Sequence, residues 1–172
     1  MSIAYTGGGT PISHSGNKSV VIYIAANADA AKYSSHANNL EHLQGVAQRL
    51  SLDDSKKYKL QFFYYRPNLV WGTTDVAANI NHAEKIVVGI VSSTEANVNT
   101  DYTYEEVITL EKTEGWKEYN ITFDLPDIIQ KNPGKSFEKC AIFFNIVPEI
   151  DSAQKTLKTL VNLDDISLTE TK

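Results

Sequence analysis

The stretch LVNLDDISL, residues 160–168, places two adjacent acids inside an apolar sequence that is typical of a buried β-strand. Successive side chains of a strand point to opposite faces, so one acid of the pair shares a face with Leu163 and the other with Ile166. We therefore expect at least one of the two carboxylates, Asp164 or Asp165, to face the core. An ionised carboxylate against a core is costly unless it is paired, hydrogen-bonded or bound to a metal.

Two explanations of the acid pair stay open. The nearest basic residue in the sequence is Lys158, so a structural cation, with calcium as the first candidate, is one way to compensate the charge. The other is a β-bulge that turns both acids to solvent, or backbone N–H groups that satisfy their oxygens.

The composition sets the class of the protein. A chain of 172 residues with 42% apolar side chains can build one substantial core, so residues 1–172 are expected to form a single β-sandwich domain with 1–16 as an irregular or edge segment. The net charge of −5, without a Lys/Arg-rich run, argues against nucleic acid as a partner. No apolar stretch reaches the length of a membrane span, and no basic-then-apolar signal peptide follows Met1.

The single cysteine, Cys140, forms no intrachain disulfide and is predicted to be a small buried hydrophobe in a strand. Cys and His residues with zinc-ligand spacing are absent from the sequence, so zinc has no support.

β-Branched and aromatic runs recur with turn-rich spacers, the pattern of an all-β sandwich of two antiparallel sheets. Alternation is clearest in YNITFDL, residues 119–125, where apolar and polar side chains take turns. One helical turn is predicted at 126–131, a short helix at 28–42, and a turn at 132–135. The eight predicted strands are 18–25, 43–52, 57–66, 85–92, 105–110, 116–125, 137–147 and 160–169.

The ordered set of motifs resembles a known group of domains. The motifs are SGNKSV at 15–20, VAQRL at 46–50 before YKLQF at 58–62, GWKEY at 115–119 and LDDISL at 163–168. Over residues 15 to 169 the chain resembles the jelly-roll, galactose-binding-like carbohydrate-binding modules of secreted glycosidases and the related cleaved-adhesin and choice-of-anchor domains of surface proteins.

That resemblance implies a calcium-stabilised jelly-roll β-sandwich of about eight strands, with a ligand site on a concave sheet face or in the loops. In such modules the terminal acid pair commonly supplies a calcium ligand, a role that carries over to Asp164 or Asp165. The family also has an asparagine-rich first strand with another acidic ligand, which residues 1–16 lack. The site is then incomplete or draws on Asp29, Asp53 or Asp54.

A ligand platform is predicted in YYRPNLVWGTTD, residues 64–75, because sugars expose apolar C–H faces ringed by hydroxyls and need flat aromatics flanked by polar groups. Trp71 is the first choice, and the alternative is that it folds back to cap the sandwich. Arg66 is a donor to a ligand or a solvent-facing strand end. Trp116 is interpreted as core or edge packing, and the histidines as surface residues. The predicted ligand-binding residues are Trp71, Tyr65, Arg66, Asn68, Asp75 and Tyr33.

The sequence thus predicts a non-catalytic module that binds a poly- or oligosaccharide without inserting into a membrane. The resemblance implies an extracellular or cell-surface location and attachment to other domains of a polysaccharide-degrading or adhesive protein. The alternative is a structural or adhesive sandwich that makes protein contacts and has no glycan ligand. A hydrolase is less favoured, because adjacent acids on a strand point to opposite faces and so do not flank one glycosidic bond.

Overall fold

A computed structural model of the chain describes residues 13–16, 19–24, 45–66, 80–92, 103–147 and 158–171. Within these ranges the chain is mostly β, with one short helix. The elements in chain order are β1 (Val20–Ile24), β2 (Gly45–Leu50), β3 (Lys57–Tyr65), β4 (Ile80–His82), β5 (Lys85–Ser92), β6 (Tyr104–Thr109), β7 (Lys117–Asp124), α1 (Leu125–Lys131), β8 (Cys140–Val147) and β9 (Lys158–Thr171).

The strands form two sheets. The first sheet has the order β1-β9-β3-β7, with β4 also paired to β9, and the second has the order β2-β8-β5-β6. All pairs are antiparallel except β4 with β9. Among the described strands, β5 and β6 are the only consecutive ones that pair, so the chain crosses repeatedly between the sheets. The predicted all-β sandwich of antiparallel sheets is confirmed.

Each of the eight predicted strands is present, and β5 has the predicted bounds. The prediction missed β4, because three residues are too few to show alternation. It also made the last strand two residues too short at each end, since β9 runs from Lys158 to Thr171. The helix predicted at 28–42 lies outside the described residues.

The core lies between the two sheets. On β3 every second side chain is buried, and Phe62 on this inward face is 0% exposed. The central strand β5 is buried on both faces, which accounts for its unbroken apolar sequence. Cys140 is buried, as predicted, and burial raises the pKa of its thiol to about 11.

The connection from β7 to β8 follows local rules. Asp124 caps α1 by accepting a hydrogen bond from the Asp127 amide, and a proline stands in the first turn. After the helix, the Lys135 amide donates to the Asn132 carbonyl at 3.2 Å, and Gly134 has φ 85°, the value that the third position of a type II turn requires. The turn predicted at 132–135 is confirmed. No helix among the described residues is both long and apolar enough to cross a bilayer.

We expect Phe62→Ala to lower the free energy of unfolding by about 3–5 kcal/mol, because it removes a ring from a closed core and leaves a cavity. Urea denaturation monitored by circular dichroism measures this. The control is Val107→Thr on edge strand β6, where the side chain is 50% exposed and the change should stay within about 0.5 kcal/mol. A loss under about 1 kcal/mol for Phe62→Ala would contradict the packing described here.

Candidate functional site

The acid pair of β9 lies at a β-bulge. Asp164 pairs with Phe63 and Ser167 with Gln61, so two residues of β9 face the single residue Phe62 of β3. Asp165 has φ 47°, in the left-handed region that Asp adopts more readily than most residues. Both carboxylates are partly exposed. The bulge alternative is confirmed, and the expectation that a carboxylate faces the core is wrong because the extra residue breaks the strand alternation.

Residues 13–16 supply the hydrogen-bond donors for both carboxylates. Asp164 Oδ2 accepts from the amides of His14 at 2.7 Å and Ser15 at 3.3 Å, and its Oδ1 accepts from the Asp165 amide at 2.8 Å. Asp165 Oδ2 accepts from His14 Nδ1 at 2.6 Å, and its Oδ1 from the Ser15 hydroxyl at 2.5 Å. The hydrogen bonds from Ser15 and His14 lower the pKa of the Asp165 carboxyl.

These contacts do not fit a calcium ion. Each of the four carboxylate oxygens accepts from an N–H or O–H group, whereas calcium takes six to eight oxygen ligands. Asp53 and Asp54 do not join the pair, because they lie beyond Lys57 at the other end of β3, and Lys57 and Phe63 are separated by about 20 Å along the strand. Among the described residues no cluster of His, Cys, Asp and Glu has the arrangement of a metal site. Asp29 lies outside them, and calcium stays a prediction.

Four rings meet beside the acid pair, and we call His14, Phe63, Tyr65 and Trp116 the aromatic patch. The His14 ring stacks on Phe63 with centroids 3.7 Å apart and planes 13° apart. Trp116 meets His14 edge-on at 6.2 Å and lies 5.6 Å from Tyr65. Phe63 and Tyr65 are two positions apart on β3, so they share the face that points away from the core.

Much of the patch was not predicted. Tyr65 was a predicted ligand residue. Trp116 was interpreted as core or edge packing, and it lies partly exposed beside the edge strand β7, where its ring contacts Tyr65 and His14. The spacing of Phe63 and Tyr65 was the available signal in the sequence. Pairing of β3 with β7 brings Trp116 beside them, and His14 arrives through a contact across 151 sequence positions.

The patch is continuous with an open polar surface, the outer face of the first sheet. Residues directly opposite each other on paired strands share a face. The rows across β9, β3 and β7 are Asp164-Phe63-Glu118, Ser167-Gln61-Asn120 and Thr169-Lys59-Thr122. Their side chains are exposed or partly exposed, so amide and hydroxyl groups line the surface that leads away from the rings.

Over the central strands β5 and β8 the outer face of the second sheet is closed. Val87, Val91 and Phe143 alternate with the core residues of their strands, yet they are 0%, 0% and 1% exposed. The Phe143 ring lies across Gly89, where an added Cβ would sit 2.5 Å from its Cζ. The centre of the first sheet's outer face is therefore accessible, whereas the centre of the second sheet's outer face is not.

Arg66 has a structural role. Its side chain is buried, with Nη1 donating to the Leu110 carbonyl at 2.6 Å and Nη2 donating to Glu84 Oε1 at 3.2 Å. The interpretation of Arg66 as a solvent-facing strand end is wrong, because these contacts hold the guanidinium against the chain. Its predicted contact with a ligand stays a prediction. The other predicted ligand residues, Trp71, Asn68, Asp75 and Tyr33, lie outside the described residues.

Comparison with known proteins identifies the fold. No protein-family model and no curated protein matches the sequence. Among solved structures, a non-crystalline cellulose specific carbohydrate-binding module, CBM28, matches at a TM-score of 0.50 and 13% identity, over 94% of this chain and 81% of that one. Tailspike protein 4 of bacteriophage CBA120, described as an enzymatically active domain, matches at a TM-score of 0.50 and 10% identity, over 99% of this chain and 18% of that one.

A CBM4 structure has a TM-score of 0.47 and 15% identity, and the chain spans 61% of it with 74% of its own residues. The chain therefore covers less than two thirds of the CBM4 and tailspike chains. At 13% identity, the similarity to the CBM28 structure establishes the fold alone, a jelly-roll β-sandwich, as the sequence predicts.

The lowered pKa of Asp165 predicts how stability depends on pH. A carboxyl with a depressed folded-state pKa contributes stability above its unfolded pKa of 3.8 and loses it as the pH falls through the folded value. The difference in unfolding free energy between the wild type and Asp165→Asn should therefore shrink as the pH falls from 5 towards 2. Asn suits the test because it also adopts a positive φ. A difference that stays constant in urea titrations over this range would contradict a role for the charge.

The donor set of the acid pair predicts that calcium has little effect on stability. Calcium chloride or EDTA should each change the melting temperature by less than about 1 °C, a small fraction of 1 kcal/mol for a chain of this size. Differential scanning calorimetry measures it, with the Asp164→Asn, Asp165→Asn double variant as the control. A rise that grows with calcium concentration and is absent from the double variant would support the calcium prediction instead.

Proposed function

We propose that the chain is a non-catalytic carbohydrate-binding module. The observation that carries the proposal is the aromatic patch, which stands at the end of an open sheet face lined by amide and hydroxyl groups. Its fold is shared with the CBM28 module, which is described as specific for non-crystalline cellulose. A poly- or oligosaccharide is the proposed ligand.

The chemistry of the surface suits a sugar. The apolar C–H face of a pyranose packs on a flat ring, and its hydroxyls need donors and acceptors at the rim. Trp116 and Tyr65 are partly exposed and supply the rings. The second row of residues beyond these two rings on the sheet face supplies amide and hydroxyl groups from Gln61, Asn120 and Ser167. A sugar that stacks on Trp116 and Tyr65 and extends along β3 therefore reaches hydrogen-bonding partners.

The predicted loop platform belongs to the same proposal. Residues 67–79 follow Tyr65 and Arg66 directly in the chain, so Trp71, Asn68 and Asp75 are candidates for a second part of the binding surface. Tyr33 is a further candidate.

The adjacent acids of β6 do not favour hydrolysis. Glu105 and Glu106 are adjacent on β6 and diverge: Glu106 accepts a hydrogen bond from the Tyr119 hydroxyl at 3.1 Å, whereas Glu105 has a buried Oε2 without a hydrogen-bond partner. Burial raises the pKa of the Glu105 carboxyl. Two carboxylates on opposite faces of one strand do not flank a glycosidic bond, which supports a binding role.

The protein context is part of the proposal. The module would belong to a secreted or cell-surface protein that degrades polysaccharide or mediates adhesion, and would be attached there to other domains. The net charge of −5 and the absence of a basic run in the sequence support a ligand other than nucleic acid.

One observation favours the structural or adhesive alternative. The outer face of the second sheet is closed over β5 and β8, so Val87, Val91 and Phe143 offer no sugar platform there. A domain of this kind would contact another protein through its loops and bind no glycan.

We expect Trp116→Ala to weaken glycan binding about tenfold, the equivalent of about 1.4 kcal/mol, because the variant removes the largest ring of the patch. Isothermal titration with soluble neutral polysaccharides (β-glucan, galactan, mannan and xylan) and a pull-down on non-crystalline cellulose measure the effect.

The matched variant is Trp71→Ala, since the chain has two tryptophans. Loss of binding in Trp116→Ala alone supports the patch, and loss in Trp71→Ala alone moves the site to the predicted loop. If the folded wild type binds none of these glycans, the carbohydrate proposal fails and the protein-contact alternative is favoured.

A further inference from the structure

Residues 13–16, which we call the strap, place the His14 ring of the aromatic patch over the Phe63 ring. The strap is a compact turn in which the Ser13 hydroxyl donates to the Gly16 carbonyl at 3.1 Å and Gly16 has φ 64°. The acid pair of β9 holds it through two backbone amides and two side chains. These bonds set the His14 ring against Phe63.

The stacked ring occupies a position that a sugar would take. A separation of 3.7 Å between the His14 and Phe63 centroids is van der Waals contact, so nothing can enter between the two rings. One face of Phe63 is therefore covered by a side chain of the protein itself. Phe63 shares its sheet face with Tyr65, so uncovering it would lengthen the platform along β3.

The hydrogen bonds that hold the strap are partly exposed to solvent. The side chains of His14 and Asp165 are each 34% exposed, and exposed hydrogen bonds are individually of small net value because water replaces them. His14, Ser15 and Gly16 are exposed and belong to no strand, so the strap has little buried apolar surface. Segments of this kind open at low cost without unfolding the domain.

We propose that the strap is an autoinhibitory contact that competes with the glycan for Phe63. This inference rests on the proposed carbohydrate-binding function. When only a fraction of molecules is open, the apparent affinity falls by that fraction, so a strap closed in about 90% of molecules weakens binding about tenfold. The acid pair, the strap and the patch then act together: the carboxylates of β9 hold the strap closed, and the closed strap limits how much of the sugar platform is accessible.

The test compares four proteins by titration with the polysaccharide that the wild type binds best among β-glucan, galactan, mannan and xylan. His14→Ala removes the stacked ring and its bond to Asp165, and should tighten binding several-fold, up to about tenfold. Phe63→Ala removes the ring for which His14 and the sugar compete, so His14→Ala should bring no gain in that background.

Asp165→Asn provides a second way to loosen the strap without removing the histidine ring. Like His14→Ala, it should tighten binding. The two changes together should tighten binding by less than the sum of their separate effects, because both act on one contact. If His14→Ala weakens binding, His14 is part of the platform and the inference is overturned. If binding is unchanged in both variants, the strap does not compete.

Fluorescence separates failure of the strap from failure of the proposed function. In a Trp71→Phe background Trp116 is the single tryptophan, and its contact with His14 makes it a reporter of the strap. His14→Ala should raise acrylamide quenching of Trp116, and unchanged quenching would overturn the strap. If quenching rises but neither the wild type nor the open variants bind any glycan, the proposed function fails, and competition for a sugar fails with it.

Discussion

The pairing of β9 with β3 is the constraint on which the rest of the structure depends. β9 lies between β1 and β3, and β3 in turn pairs with β7, so an error in this register would pass through the whole first sheet. Leu163 and Leu168 both belong to the core side, opposite Tyr64 and Leu60. They are an odd number of positions apart and would lie on opposite faces of a regular strand. The bulge supplies the extra residue that returns Leu168 to the core.

The same bulge explains why two acids stand in an apolar strand. In a regular strand, Asp165 would occupy the inward position opposite Phe62, where its charge would be buried without a partner. In the bulge it takes a positive φ and its carboxylate reaches the surface. There the pair accepts hydrogen bonds from residues 13–16. The bulge that returns Leu168 to the core side has therefore also placed two carboxylates where they bind residues 13–16.

The two outer faces of the sandwich differ in how far their central strands are exposed, and this difference determines where the candidate site lies. Over its central strands β5 and β8 the second sheet is apolar and buried on both faces, as Val87 and Phe143 show. The first sheet is apolar on its inner face, whereas its outer face carries polar rows that end in rings. Aromatic side chains on a polar, accessible face are not explained by packing of the core. The location of the patch thus follows from which sheet the chain leaves open.

The sequence by itself determined eight of the nine described strands, the β7–β8 turn and the burial of Cys140, because these depend on alternation and turn chemistry among near neighbours. Only the tertiary structure decided the parity of β9, the burial of Arg66 against Leu110 and Glu84, and the patch. The alternation of apolar and polar residues predicts which face of a strand a side chain occupies, but not which strand lies beside it. His14 and Asp165 meet across 151 positions, and no local pattern encodes such a contact, because strand register and chain crossing bring the two residues together.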